Sequence, residues 1–275
     1  MQVKIGLAQI PVVADKRDNL RVAAEAIAAC KREGAQIAVL PEMFCCPYQT
    51  SYFPVYAEPR GGEVWSALSE MAQDNGVLLF GGSMPERGEN GAIHNTCFVF
   101  DKNGNEITCH RKMHLFDIDI KGGQRFMESE TLTAGDSLTV VDTEFGKIGV
   151  AICFDIRFPE PFRLMANYGA RMVIVPAAFN MTTGPAHWEI TFRTRALDNQ
   201  CFVFGCAPAR DEKGLYVSYG NSIAVSPWGA VIGRLDEKAG ILAVAIHLGD
   251  ADAVREQLPL LKALRRDLFD TCPVE

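Results

Sequence analysis

Lys147-Ile148-Gly149-Val150-Ala151-Ile152-Cys153-Phe154-Asp155-Ile156-Arg157-Phe158-Pro159-Glu160 is an apolar run that breaks at a cysteine and passes through charged residues into a helix start. The run is short enough for a buried strand. Pro159 and Glu160 then open a helix-like stretch over 161–168, which Gly169 closes. A strand that turns into a helix presents the residue at the bend at the carboxyl edge of a sheet, where open α/β proteins bind ligands. Helix-N-terminal amides at such a bend lower a thiol pKa and receive an oxyanion. Cys153 is therefore a candidate nucleophile. The alternative is a small core residue at a strand end, because free Cys is among the most buried residue types.

Strands and helices alternate outward from this segment. Residues 3–9, 36–40, 77–80, 96–101 and 106–110 read as strands. So do 138–142, 148–153, 172–175, 201–206, 222–225, 231–234 and 241–246. Residues 19–31, 63–74 and 186–198 carry helical periodicity, with Gly34 and Gly76 as stops after the first two. Lys102-Asn103-Gly104-Asn105 holds an Asn-Gly hairpin signal. More than ten strands with about four helices exceed a simple doubly wound sheet. The expected architecture is two stacked mixed sheets with helices on their outer faces, an α/β protein in four α-β-β-α layers. No linker, repeat or low-complexity stretch divides the chain, so residues 1–275 are expected to form one domain.

Composition excludes several function classes. The 27 basic and 34 acidic residues give a net charge of −7 without any cluster of Lys or Arg, which argues against nucleic acid or anionic membrane as partner. The first nine residues alternate like a strand and leave no room for a signal h-region. No apolar stretch approaches the roughly 18 residues of a membrane span. Nine cysteines, an odd count with no Cys-x-x-Cys pair and with Cys45 adjacent to Cys46, suit free thiols in a reducing compartment. A soluble, cytoplasmic protein is expected.

Three strand ends carry residues with chemical potential. One runs out at Pro41-Glu42, one through His110-Arg111-Lys112-Met113-His114, and the third delivers Cys153. If these strands share one sheet and one direction, Glu42, Lys112 and Cys153 meet above its carboxyl edge. Singly, Glu42 reads equally as a loop residue or cap, and Lys112 as a surface group. Together they fill the roles that acyl transfer needs: a thiol nucleophile, a carboxylate base and a fixed positive charge. Glu42 would take the Cys153 proton as sulfur attacks an amide carbon. Lys112 and the backbone N–H of Phe154 would stabilise the oxyanion. A substrate that carries a carboxylate would also need that group paired. Arg157, Tyr48 and an anion nest at Thr182-Thr183-Gly184 are the candidates, with pairing of Arg157 to Glu160 or another local acid as the alternative.

At these residues the chain resembles the carbon–nitrogen hydrolase (nitrilase) superfamily. The resemblance rests on Ala8-Gln9, Leu40-Pro41-Glu42, Arg111-Lys112-Met113-His114-Leu115-Phe116 and residues 152–160. It implies a Glu-Lys-Cys triad on an α-β-β-α sandwich, no metal or other cofactor, and a small-molecule amide substrate. It also implies that Glu128 is the second glutamate that orients the lysine. Residues 112–119 and 178–189 resemble the branch that contains ω-amidase and deaminated-glutathione amidase. Phe116-Asp117-Ile118-Asp119, Asn180 and Pro208-Ala209-Arg210-Asp211 lean to the former. The implied reaction is hydrolysis of the terminal amide of 2-oxoglutaramate or 2-oxosuccinamate, with deaminated glutathione or another amide or nitrile as runner-up. Members of the superfamily pair through the helix after the nucleophile and the C-terminal segment. A homodimer or larger is therefore expected, with residues 248–275 at the interface.

Other chemistries fit less well. His110 and His114 have the i, i+4 spacing of helical metal ligands, but no Glu follows the first His and no helix is evident, so bracing or lining a pocket suits them better. A Cys–His hydrolase using His110, His114 or His187 is the mechanistic rival. A catalytically idle scaffold is the rival of another class.

Overall fold

Period-two alternation sets the layers. In the first strand Val3, Ile5 and Leu7 enter one apolar cluster while Ala8 enters another, and Val99 and Phe98 divide in the same way. The computed structural model describes residues 1–119, 121 and 125–271. One sheet comprises β1 (Gln2–Gln9), β2 (Ile37–Val39), β3 (Leu78–Phe80), β4 (Met84–Arg87), β5 (Ile93–Phe100), β6 (Glu106–Arg111) and β15 (Gly240–His247). Its order is β15-β1-β2-β3-β5-β4, with β6 also paired to β5. The strands β7 (Asp117–Asp119) and β8 (Arg125–Met127) form a separate hairpin. The second sheet, in reverse order, contains β9 (Thr139–Thr143), β10 (Gly146–Val150), β11 (Met172–Pro176), β12 (Phe202–Cys206), β13 (Ile223–Val225) and β14 (Val231–Arg234).

Helices α1 (Lys16–Arg32), α2 (Phe53–Tyr56) and α3 (Glu63–Asn75) precede β3. Asp15 caps α1 by accepting the Asp18 N–H, and α3 stops at Gly76, which takes the left-handed conformation. Both helices pack Ala23, Ile27, Val64 and Leu68 on the outer face of the first sheet. Helices α4 (Pro159–Asn167) and α5 (Gly184–Asn199) pack Phe162, Trp188 and Phe192 against the second sheet. Between the sheets lie Ile5, Val39, Phe80, Val150 and Ile174. The four α-β-β-α layers expected from the sequence are present.

The strands that carry the chemistry do not all share one sheet, which corrects the sequence reading. β2 is parallel to β3, β3 antiparallel to β5, and β5 antiparallel to β6, so β2 and β6 run the same way in the first sheet. β10 lies in the second sheet beside β11. Its pairing stops at Val150, before the cysteine, because residues 153–157 turn into a short 3₁₀ segment. Strands β4, β7 and β8 escaped the sequence reading because each is three or four residues long and lacks clear alternation.

After β15, α6 (Gly249–Gln257) docks on the chain's own body: Arg255 donates to the carbonyls of Ala170 and Gln200, and Arg171 pairs with Asp252. The short α7 (Leu260–Ala263) follows, with Leu258, Leu260, Leu268 and Phe269 exposed. Residues 272–275 of the expected C-terminal interface lie outside the described residues. Among the described residues no helix is long and apolar enough to cross a membrane, and eight cysteines are free.

Two glycines fix how closely the supporting chain approaches Glu42 and Lys112. A Cβ on Gly82, whose φ is +59°, would meet the Pro41 carbonyl at 2.2 Å, and one on Gly135 would meet the Arg111 carbonyl at 2.2 Å. Gly82→Ala combines backbone strain with overpacking and is expected to cost about 2–4 kcal/mol. Urea denaturation checks this, and an unchanged midpoint would show that the loop relaxes freely.

Candidate active site

Lys112 occupies the centre of the site and is fully buried. A buried ammonium needs paired charge, and two carboxylates supply it: Nζ donates to Glu42 Oε1 at 2.9 Å and to Glu128 Oε1 at 2.9 Å. Burial alone would lower the Lys112 pKa. Glu128 and Glu42 reverse this and hold it well above the ordinary lysine value. Glu128 is saturated, since Oε1 also accepts from the Tyr48 hydroxyl at 2.5 Å and Oε2 from the Phe116 N–H at 2.7 Å.

Glu42 is bonded on one side only. Oε1 also accepts from Asn95 Nδ2 at 2.9 Å, whereas Oε2 is buried and receives no hydrogen bond from a nitrogen or oxygen of the described residues. Desolvation raises the Glu42 pKa, Lys112 opposes, and Glu128 adds to the rise. The thiol of Cys153 lies within hydrogen-bonding reach of the carboxylate. Burial, then Glu42, pushes the thiol pKa well up, against Lys112 and the Ala178 N–H. Both groups are thus held above their ordinary values, and burial is the first cause in each.

Cys153 itself has φ 45°, a left-handed conformation uncommon outside glycine, and it opens the 3₁₀ turn Cys153–Arg157. Asp155 pins that turn. Its Oδ2 accepts from the Ile152 N–H at 2.9 Å and His110 Nε2 at 3.2 Å, and its Oδ1 from the His114 N–H at 2.9 Å and Nδ1 at 2.8 Å. Burial would raise the Asp155 pKa, but the two histidines hold it well below the usual carboxylate range. These bonds tie the turn after β10 to the segment around Lys112, one from each sheet. His110 and His114 are therefore braces, and among the described residues no group of His, Cys, Asp and Glu has the arrangement of a metal site.

The geometry separates the other residues singled out in the sequence. Phe154 lies in the first turn after the bend, where an N–H has no intrahelical acceptor. Arg157 lines a narrow cleft with Cys153, Phe154, Phe179 and Thr183. Its guanidinium sits 4.9 Å from the Phe179 ring centre and donates to His187 Nδ1 at 3.1 Å. No carboxylate of the described residues pairs with it, so the Glu160 alternative fails. Tyr48 is not free for a substrate carboxylate, because its hydroxyl proton is committed to Glu128. The anion nest is also corrected. Asn180 Oδ1 accepts the N–H groups of Thr182 and Thr183 and the Thr183 hydroxyl, and Thr182 points to solvent. Only Thr183 reaches the cleft.

Sequence reasoning missed Asn95, Asp155, Ala178 and Tyr216. Asp155 had a local signal, an acid two residues after the nucleophile. Asn95 looked like any polar residue in a strand, and the roles of Ala178 and Tyr216 arise only through tertiary contacts.

The carbon–nitrogen hydrolase family model matches residues 4–256. Omega-amidase NIT2-A of Xenopus laevis is 49% identical over 267 residues, covering 97% of this chain and 96% of that protein. Omega-amidase NIT2 of Mus musculus is 44% identical, with coverage of 97% and 96%. The crystal structure of Saccharomyces cerevisiae Nit3, a member of branch 10 of the nitrilase superfamily, superposes with a TM-score of 0.89 at 38% identity, covering 96% of this chain and 97% of that one.

Asp155→Asn would keep one acceptor oxygen and set an NH₂ against two donors. The loss of two buried hydrogen bonds is expected to lower stability by about 2–4 kcal/mol. Calorimetry checks this, and an unchanged melting temperature would mean that the four bonds carry no load.

Proposed function

The chain belongs to the carbon–nitrogen hydrolase family, and on that premise we propose that it is an ω-amidase. It hydrolyses the terminal amide of a short 2-oxo dicarboxylic acid, 2-oxoglutaramate or 2-oxosuccinamate, to the acid and ammonia. The observation that carries the substrate reading is Arg157, a half-buried cation that no carboxylate of the described residues pairs with, in the same cleft as Cys153. A buried cation of this kind is best completed by an anion from the substrate.

The proposed mechanism runs through the residues already placed. Cys153 Sγ attacks the amide carbon while Glu42 Oε2 takes the thiol proton. Negative charge develops on the carbonyl oxygen, where Lys112 Nζ and the Phe154 N–H stabilise it. One such donor is worth about 3–4 kcal/mol in a dry site. The tetrahedral intermediate collapses with cleavage of the C–N bond, and Glu42 returns its proton to the departing nitrogen, releasing ammonia. Water then attacks the thioester as Glu42 removes its proton. The second intermediate expels the sulfur, which recovers its proton from Glu42. Glu128 keeps Lys112 charged and fixed between the two carboxylates throughout.

We also propose a homodimer or larger assembly working in the cytoplasm. Exposed Leu258, Leu260, Leu268 and Phe269 follow a sandwich already complete, and a partner surface would bury them. The free cysteines suit a reducing compartment.

Kinetics with 2-oxosuccinamate, deaminated glutathione, a simple aliphatic amide and a nitrile test the activity. The 2-oxo acid amide is expected to win by about 100-fold in kcat/KM, roughly 2.7 kcal/mol of transition-state binding. Cys153→Ala should abolish turnover. Arg157→Met should weaken the acid amide and leave the neutral amide nearly unchanged. A preference for deaminated glutathione or the nitrile would overturn the substrate and leave the triad standing, whereas turnover by Cys153→Ala would overturn the nucleophile. Light scattering should give a multiple of 30.2 kDa at micromolar concentration. A strict monomer would contradict the assembly, and recovery of the protein with exported material on cell fractionation would contradict the compartment.

A further inference from the structure

Glu42 and Glu128 compete for the same partners. Lys112 Nζ lies 2.9 Å from an oxygen of each. The Tyr48 hydroxyl lies 2.5 Å from Glu128 Oε1 and 3.2 Å from Glu42 Oε1, with the Tyr48 ring packed 4.7 Å from that of Tyr216. A hydroxyl carries one proton, and the shorter contact takes it. Among the described residues, Asn95 is the one nitrogen or oxygen donor on Glu42 that Glu128 does not share. Asn95 is fully buried in β5, and its backbone carbonyl accepts the Lys112 N–H at 2.8 Å. One residue thus touches both members of the ion pair, Glu42 through its amide and Lys112 through its backbone. The other end of the amide is empty: Oδ1 is buried and has no hydrogen-bond partner among the described residues. An unmade acceptor costs stability, and turning the amide over would set Oδ1 against a carboxylate oxygen, so the amide serves Glu42 alone. Ser83 fixes the backbone on either side of Glu42. Its N–H donates to the Pro41 carbonyl at 3.2 Å, and its Oγ accepts the N–H of Met43, a residue with φ 51°.

From this geometry we propose that Asn95 is the positioning residue of the base: its amide pins Glu42 by Oε1, so that Oε2 stays free of nitrogen and oxygen donors and is the oxygen that exchanges protons during turnover. The inference rests on the amidase reading and adds a residue to its machinery. Lys112 alone does not select the oxygen, because an ammonium is a compact charge that attracts either one. The amide donor is directional and reaches only Oε1, at 2.9 Å. A donor on a carboxylate also favours its charged form, so Asn95 works with Lys112 against the desolvation that raises the Glu42 pKa. Without the amide, Glu42 holds its proton to higher pH. Activity needs the deprotonated carboxylate, so loss of the amide moves the acidic limb of kcat/KM upward in pH.

The test is the pH profile of kcat/KM for the full chain as wild type, Asn95→Leu and Asn95→Ala, from about pH 5 to 9. The substrate is 2-oxosuccinamate, or a simple aliphatic amide if that is turned over better. Asn95→Leu fills the site, offers no donor and keeps water out. Its acidic limb is expected to rise by about one pH unit, the scale of one hydrogen bond to a charged group. Asn95→Ala leaves room for a water that can donate in place of the amide, so its limb should rise less although its packing is the more damaged. A packing role alone would leave both limbs at the wild-type pH and cost Asn95→Ala the more activity. If Asn95→Leu does not fold, an upward shift in Asn95→Ala supports the proposal. A wild type that turns over neither amide defeats the amidase reading itself. An active wild type whose folded variants keep its acidic limb overturns the role of Asn95.

Discussion

A lysine ammonium with no exposed surface is the constraint around which this molecule is organised. Desolvating Lys112 is tolerable only if anions lie at contact distance, and Glu42 and Glu128 both do, at 2.9 Å. Two carboxylates against one cation leave an excess of negative charge, and the structure distributes it unequally. Glu128 has both oxygens filled by Lys112, Tyr48 and the Phe116 N–H. Glu42 keeps one oxygen unfilled and carries a raised pKa. The same imbalance that would be a defect in a structural ion pair is what the proposed role of Glu42 as a base requires.

Holding a thiol beside that carboxylate needs two sheets. Glu42 and Lys112 leave the first sheet on parallel strands, and Cys153 leaves the second, so the inter-sheet core sets their separation. Asp155 ties the two sides together directly, with bonds to Ile152 on one side and to His110 and His114 on the other. Such redundancy is what allows Cys153 to persist at φ 45°, since a strained backbone survives only where its surroundings over-determine it. The sulfur so held lies buried, within hydrogen-bonding reach of the Glu42 carboxylate.

Around Glu42, Lys112 and Cys153 few polar groups are left free. Tyr48, which borders the lysine, spends its hydroxyl on Glu128 and cannot also bind substrate. Asn180 consumes the donors of the Thr182–Thr183 turn. What remains facing the cleft is Arg157, held by aromatic faces and by His187 Nδ1, with no acid of the described residues on it. A cation that no acid of the described residues pairs with, beside a wall of aromatic rings, suits the small anionic amide of the proposed function.

Much of this was legible in the chain itself. The alternating strands, the caps and stops, and the excess of strands over helices required stacked sheets with helices outside, because each apolar face must be buried and only that layering does so. Glu42, Lys112 and Cys153 stood out as candidates because each ends a strand on a polar or reactive residue, a local pattern, and the fold brings the three together. Glu128 was reached through resemblance alone, and its contact with Lys112 belongs to the tertiary structure. So does the division of the three strand ends between two sheets, since pairing partners follow from topology and not from local pattern. The commitment of Tyr48 and the threonine turn to internal hydrogen bonds, the histidine clamp on Asp155 and the contact of Asn95 with Glu42 were likewise decided by packing. A sequence shows which groups a residue can bond; only the fold decides which of those bonds are already taken.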